Sequence, residues 1–179
     1  ARSAIPMPDG SYRLDMTPDS ANYALFAFGA FDARDPMIES DMRSLRERLW
    51  VKTDIGGSAR YERDYFHQVE REKIDLAPGN PWVICTLWHA QHAIARATNK
   101  SELQQALPYL DWTAARAFES GILAEQFHPY TGAPIGVSPL TWSHATVVMT
   151  VVEYLRKLND LTRGIARGPR ASEVEAEMS

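Results

Sequence analysis

Residues 121–148 read GILAEQFHPYTGAPIGVSPLTWSHATVV, and the reading of this stretch decides that of the whole chain. Glu125 follows a break at Gly121 and precedes Phe127, His128 and Tyr130. A run rich in Pro and Gly comes next, and only then a helix start that carries Trp142. Two readings of the acid fit the residues. A carboxylate beside rings and amides is suited to a sugar: rings pack on its apolar face, amides hold its hydroxyls, and the carboxylate activates water or stabilises an oxocarbenium ion. The other reading is a solvated loop Glu, which is common on protein surfaces.

Outward from this loop the chain reads as helical. Helices are expected over 18–31, with Thr17 as cap and Pro18 first, and over 36–50, with Asp35 before Pro36. In the second, Met37, Asp41, Leu45 and Leu49 mark how polar and apolar faces divide. A third follows Asn80 as cap and Pro81, carrying Val83, Ile84, Leu87, Trp88, Gln91 and Ile94 at helical spacing. A fourth starts near Ser101 with a capping-box pattern and is expected to kink or break at Pro108. A fifth follows Ser138 and Pro139, with an apolar series Leu140, Val147, Val148, Val151, Val152, Leu155 and Leu158. No alternation is long enough to predict a sheet. The connections 51–79 and 120–137 are long for a helical domain, and such connections tend to carry function. With three helices starting at a cap-Pro pair and rings and charges gathered just before them, the reading is an all-α array with a polar, aromatic mouth at one end.

Composition narrows the function classes. The chain has 179 residues, 45% apolar, with a formal charge of −4, which suits one globular domain. Charges are mixed without a basic block, so neither nucleic acid nor an anionic membrane surface is an expected partner. No apolar run is long enough to span a bilayer. The single cysteine, Cys85, lies in an apolar helical run and reads as a small buried hydrophobe. No apolar signal segment opens the chain, and the absence of an initiator Met raises the expectation of a fragment or processed product.

A second constellation is GGSARYERDYF, where Arg60 and Asp64 bracket Tyr61. An Arg–Asp pair among rings can clamp hydroxyls, or it can be a solvated i,i+4 pair. A third is GNPWVICTLW, a helix start with Trp82 and Trp88 as core candidates. His89 and His92 are three apart with no acidic partner nearby. Together with His67, His128 and His144 they read as structural, so no metal or cofactor is expected.

These three segments in this order resemble glycoside hydrolase family 15, the glucoamylases, glucodextranases and trehalases. AEQF at 124–127, then TG and LTWSHA at 140–145, is similar to the family's segment around its catalytic base, and ARYERDYF followed by GNPWVICTLW resembles its Arg-containing segment. The wording is nearest the bacterial and archaeal branch. The resemblance implies part of an (α/α)6 barrel, with Glu125 as the base that activates water for inverting attack on the anomeric carbon. It further implies Arg60 and Asp64 as sugar-binding residues, with Trp82 and Trp142 as aromatics at the same mouth. An inverting glycosidase also needs a general acid. No segment of residues 1–50 resembles the family's acid loop, and neither Glu62 nor Glu119 matches it. Residues 1–162 are therefore expected to be the C-terminal portion of the catalytic domain, with 163–179 a polar tail. The expected partners are an α-glucan and the N-terminal portion of the same protein. The segment 67–78 is longer than in the fungal members. A second reading, of another class, is a non-catalytic module on this scaffold that binds glycans or another subunit.

Overall fold

The computed structural model describes residues 3–164, so the expected tail lies outside the described residues apart from Arg163 and Gly164. The chain opens with an antiparallel hairpin, β1 (Ser3–Pro6) and β2 (Tyr12–Asp15), with Ala4 opposite Leu14 and Pro6 opposite Tyr12. The sequence reading gave no strand here. A 3-10 turn (Ser20–Tyr23) and the single-turn α1 (Ala24–Ala27) replace the helix expected over 18–31. Asp19, not Thr17, caps the turn, accepting from the Ala21 N–H at 2.9 Å. The Ser20 N–H donates to the Arg60 carbonyl and its hydroxyl to the Ala59 carbonyl, both at 2.8 Å. These long-range bonds hold the segment on the protein body and leave it little room to extend as a regular helix.

Helix α2 (Pro36–Leu49) forms where expected. The Asp35 carboxylate accepts from the Met37 N–H at 2.8 Å, and Ile38, Met42, Leu45 and Leu49 form its buried face. Helix α3 (Val83–Arg96) is the central element, buried along almost its whole length, as its apolar sequence requires. It begins later than expected. Pro81 and Trp82 form a short strand, β4, and Trp82 occupies the cap position without a side-chain cap bond.

The buried polar groups of α3 tie it to its neighbours. Thr86 accepts from the Ser58 N–H at 2.9 Å, His89 Nε2 lies 3.2 Å from Ser58 Oγ, and the Gln91 amide donates to Thr150 Oγ1 at 3.0 Å. Burial pushes the His89 imidazole down to about 3, so it is neutral, and the same cause pushes the Cys85 thiol up, leaving it protonated.

The fourth expected helix is divided as Pro108 suggested. Helix α4 (Lys100–Leu103) passes through a 3-10 turn (Gln104–Ala106) into α5 (Leu107–Ala114), and Pro108 stands at the start of α5, where its missing N–H costs nothing. Asn99, not Ser101, is the cap, accepting from the Glu102 N–H at 3.0 Å. Helix α6 (Thr141–Arg163) starts after Ser138 and Pro139, not at them. The Leu140 N–H donates to the Leu123 carbonyl at 3.1 Å, so the chain stays extended through residue 140.

Helix α6 packs on α3 in the largest helix interface. It buries Ser143, Thr146 and Thr150 there, while Val148, Val151, Val152 and Leu155 of its apolar series, with Met149 beside them, face outward. The contact thus combines small hydroxyl side chains that let two helices approach with Val147, Tyr154, Leu158 and Leu161, which pack on the core clusters of α3, while part of the apolar series lies on the other side.

A second sheet joins the loops. Its strands β3 (Ser58–Ala59), β4 (Pro81–Trp82), β5 (Gln126–Phe127) and β6 (Pro134–Ile135) run antiparallel in the order β3-β4-β5-β6. Ser58 pairs with Trp82, Trp82 with Gln126, and Gln126 with Ile135.

The Gln91–Thr150 bond is buried on both sides, so Thr150→Val is expected to destabilise the full-length protein by about 1–3 kcal/mol by stranding the amide. Adding Gln91→Leu is expected to recover much of that loss. Urea unfolding of the two single variants and the double variant measures it.

Candidate functional site

The four-stranded sheet sets three sequence segments side by side, each supplying one strand at an edge of the helical body. ARYERD continues directly from β3, GNPW supplies β4, and AEQF supplies β5.

Glu125 immediately precedes β5 and is half-buried. Its N–H donates to the Val137 carbonyl at 3.0 Å, and its carbonyl accepts from the Val83 N–H at 3.3 Å. The backbone of the acid is therefore held between the return strand of its own loop and the first turn of α3. The flanking residues are pinned from α6. Ser143 Oγ donates to the Ala124 carbonyl at 2.9 Å, and His144 Nε2 accepts from the Leu123 N–H at 3.1 Å. A helix buried against α3 thus sets the position of residues 123–125. At the carboxylate, Gln126 Nε2 donates to Oε2 at 3.4 Å. Gly136 passes directly against this group: a Cβ there would stand 2.3 Å from Glu125 Oε2, and φ at 136 is 78°. Glycine meets both the spatial and the conformational requirement.

Arg60 and Asp64 form a two-bond pair, Nε to Oδ2 at 2.8 Å and Nη2 to Oδ1 at 2.7 Å. Asp64 is 1% exposed against 33% for the Arg60 side chain, and Oδ1 also accepts from the Phe66 N–H at 3.0 Å. The guanidinium lies over three rings, with its carbon 4.6 Å from the centre of Trp82, 4.9 Å from Tyr61 and 5.6 Å from Phe66. Burial works against the Arg60 charge, but the bonds to Asp64 outweigh it and hold its pKa above the ordinary value. This is a fixed, charged, planar donor set on an aromatic bed.

Trp82 is buried beneath Arg60, and Asp64 is buried beside it. Trp142, on the first turn of α6, is 54% exposed, with its ring 6.1 Å from Trp88, which stacks on Tyr23 at 4.1 Å. Of the five residues singled out from the sequence, Glu125, Arg60 and Trp142 present accessible groups, while Asp64 and Trp82 form the support of Arg60.

Several residues of this region were not singled out for a role in the site. Asn80, read as a helix cap, is 2% exposed and donates to Gln126 Oε1 at 2.9 Å. Gln126 sits within the quoted AEQF motif, and Ser143 and His144 within LTWSHA, so the motifs held the residues without assigning their contacts. The Tyr130 hydroxyl donates to Glu70, joining the 67–78 segment to the Glu125 loop. That bond, with the Lys73 and Glu72 N–H groups, holds the Glu70 carboxyl down to about 2. His128 Nδ1 accepts from the N–H groups of Tyr130 and Thr131, both at 3.2 Å, and so closes a turn.

A family model for glycosyl hydrolases family 15 matches residues 40–152. An uncharacterised glycosyl hydrolase of Methanocaldococcus jannaschii is 26% identical over 150 residues, covering 78% of this chain and 22% of that protein. A glucoamylase of Clostridium sp. is 28% identical over 144 residues, covering 78% and 20%. The crystal structure of a bacterial glucoamylase complexed with acarbose matches with a TM-score of 0.66 at 26% identity, over 87% of this chain and 23% of that one. The chain spans about a fifth of the length of the curated relatives it matches.

Arg60→Lys replaces a two-bond fork over three rings by a single ammonium. It is expected to cost the full-length protein about 1–3 kcal/mol, whereas Arg48→Lys at the more exposed Arg48–Glu62 pair stays within about 0.5 kcal/mol; urea midpoints compare the two.

The ordered segments, the helical fold with its loops gathered on one small sheet, and the match over residues 40–152 agree: the chain belongs to glycosyl hydrolases family 15 and its fold is part of an (α/α)6 barrel.

Proposed function

We propose that this chain is the base-bearing portion of an inverting, exo-acting hydrolase that releases glucose from α-glucans through α-1,4 or α-1,6 linkages. The observation that carries the reading is the sheet pairing of Trp82 with Gln126, which brings the Glu125 loop beside the segment bedding Arg60. The likeness to glucoamylases, one of them complexed with acarbose, supports the substrate class.

In this mechanism a glucose unit at the non-reducing end of the glucan lies among Glu125, Arg60 and Trp142. The Arg60 guanidinium, held by Asp64, donates to its hydroxyls, and Trp142 packs on its apolar face. Glu125 takes a proton from a water as that water attacks the anomeric carbon, while a general acid across the ring protonates the leaving oxygen. An inverting pair leaves room for the water, with the two carboxyls about 6.5–9.5 Å apart. The acid belongs to an upstream portion of the protein.

The outward apolar stripe of α6 (Val148, Met149, Val151, Val152 and Leu155) supports a role for that portion as a packing partner. Among the described residues there are too few helices to close a twelve-helix barrel.

Glu125→Gln in the full-length enzyme is expected to lower kcat by about three orders of magnitude or more with KM little changed. Near-normal turnover would remove the assignment. The isolated chain is expected to hydrolyse neither maltose nor dextrin, and measurable glucose release by it alone would contradict the two-part reading.

A further inference from the structure

The motif GNPW is paired with the motif AEQF by backbone, and their side chains are paired as well. Asn80 and Gln126 are 2% and 0% exposed and 46 residues apart in sequence. Asn80 Nδ2 donates to the His67 carbonyl at 2.8 Å and to Gln126 Oε1 at 2.9 Å, and its Oδ1 accepts from the Val69 N–H at 3.3 Å. A buried primary amide has two chemically different ends, and its partners decide which end points where. Here a carbonyl and an N–H of the 67–69 backbone settle the Asn80 amide. Asn80 in turn presents a donor to Gln126, so the Gln126 oxygen faces Asn80 and its NH2 faces Glu125 Oε2 at 3.4 Å.

We propose that Asn80 is a positioning residue for the reaction, acting through Gln126 to keep a donor on Glu125 Oε2 and leave Oε1 for the attacking water. This rests on Glu125 being the base. The polarity of the relay matters more than its presence. With Gln126 reversed, its carbonyl oxygen faces the carboxylate, and repulsion between the two acceptors turns Glu125 away from the water. The His67 backbone, at φ 55°, belongs to the device, because its carbonyl is one of the two groups that orient Asn80. The 67–78 segment is thus connected to the base by three hydrogen bonds in sequence.

The test is a double-mutant cycle on the full-length enzyme, measuring kcat and KM on an α-glucan for wild type, Asn80→Asp, Gln126→Met and the double variant. Aspartate at 80 only accepts, so it draws the Gln126 NH2 toward itself and reverses the relay. The expected result is a fall in kcat of about 10–100-fold for Asn80→Asp, consistent with a small displacement of a catalytic group, with KM changed less than about threefold. The double variant should be no slower than Gln126→Met alone.

An undiminished Asn80→Asp loss in the Gln126→Met background overturns the proposal, as does a loss confined to KM or an unchanged kcat. If Asn80→Asp does not fold, Asn80→Ser, too short to reach Gln126, takes its place with the same outcomes. A Glu125→Gln variant that has lost turnover, beside an additive cycle, removes only the relay; one that keeps turnover removes the assignment of the base as well.

Discussion

The pairing of Trp82 with Gln126 is the contact on which the site depends. Each strand of its sheet is two residues long, so the ladder contributes few hydrogen bonds and cannot be stable on its own. Its stability comes from what the strands adjoin. β4 runs directly into α3, the most buried helix, and β3 is tied to the same helix through Ser58, Thr86 and His89. The rigid element is thus α3, and the sheet transfers its position to the loops. Gln126 is locked from both sides by backbone pairing with β4 and side-chain pairing with Asn80. Glu125, one residue earlier, inherits that placement.

Around this junction the structure solves two electrostatic problems differently. The Arg60–Asp64 pair is charged and half withdrawn from water. Its two parallel hydrogen bonds, the Phe66 N–H and three rings compensate both ions. Among the described residues, Gln126 supplies the one side-chain donor to the Glu125 carboxylate, which otherwise lies against Gly136, so its surroundings are spare. A binding group gains from being saturated and immobile, whereas a base needs an oxygen that is not already engaged. The contrast between the two carboxylates, one occupied and buried and one half-open, agrees with separate roles on one surface.

Much of this was legible in the sequence where the determinants are local. Asp35-Pro36 announced α2, the apolar run after Trp82 announced α3, and Pro108 announced a break. The starts of α3 and α6 were misplaced for one shared reason. Asn80-Pro81 and Ser138-Pro139 are good local start signals, but residues 82 and 140 are committed to pairing with residues 126 and 123. A partner more than fifteen residues away carries no local pattern. The apolar series of α6 was recognised, but which face meets α3 was not, since that series is divided: Val147 and Leu158 pack inward beside the buried hydroxyl residues, whereas Val148, Val151, Val152 and Leu155 face outward. At the site, Glu125, Arg60 and Trp142 stood out because their residue types match a chemistry. Asn80, Gln126, Ser143 and His144 act by contact alone, and contacts require the register of the sheet.

The central claim, that Glu125 activates the attacking water, is tested most directly by bypassing water. In the full-length enzyme Glu125→Ala removes the base, and azide is a nucleophile that needs no base and fits the vacated volume. On an α-glucosyl substrate, added azide is predicted to restore turnover and to give β-glucosyl azide, identified by its anomeric proton in NMR. An α-configured product, or full turnover by Glu125→Ala without azide, would contradict the account.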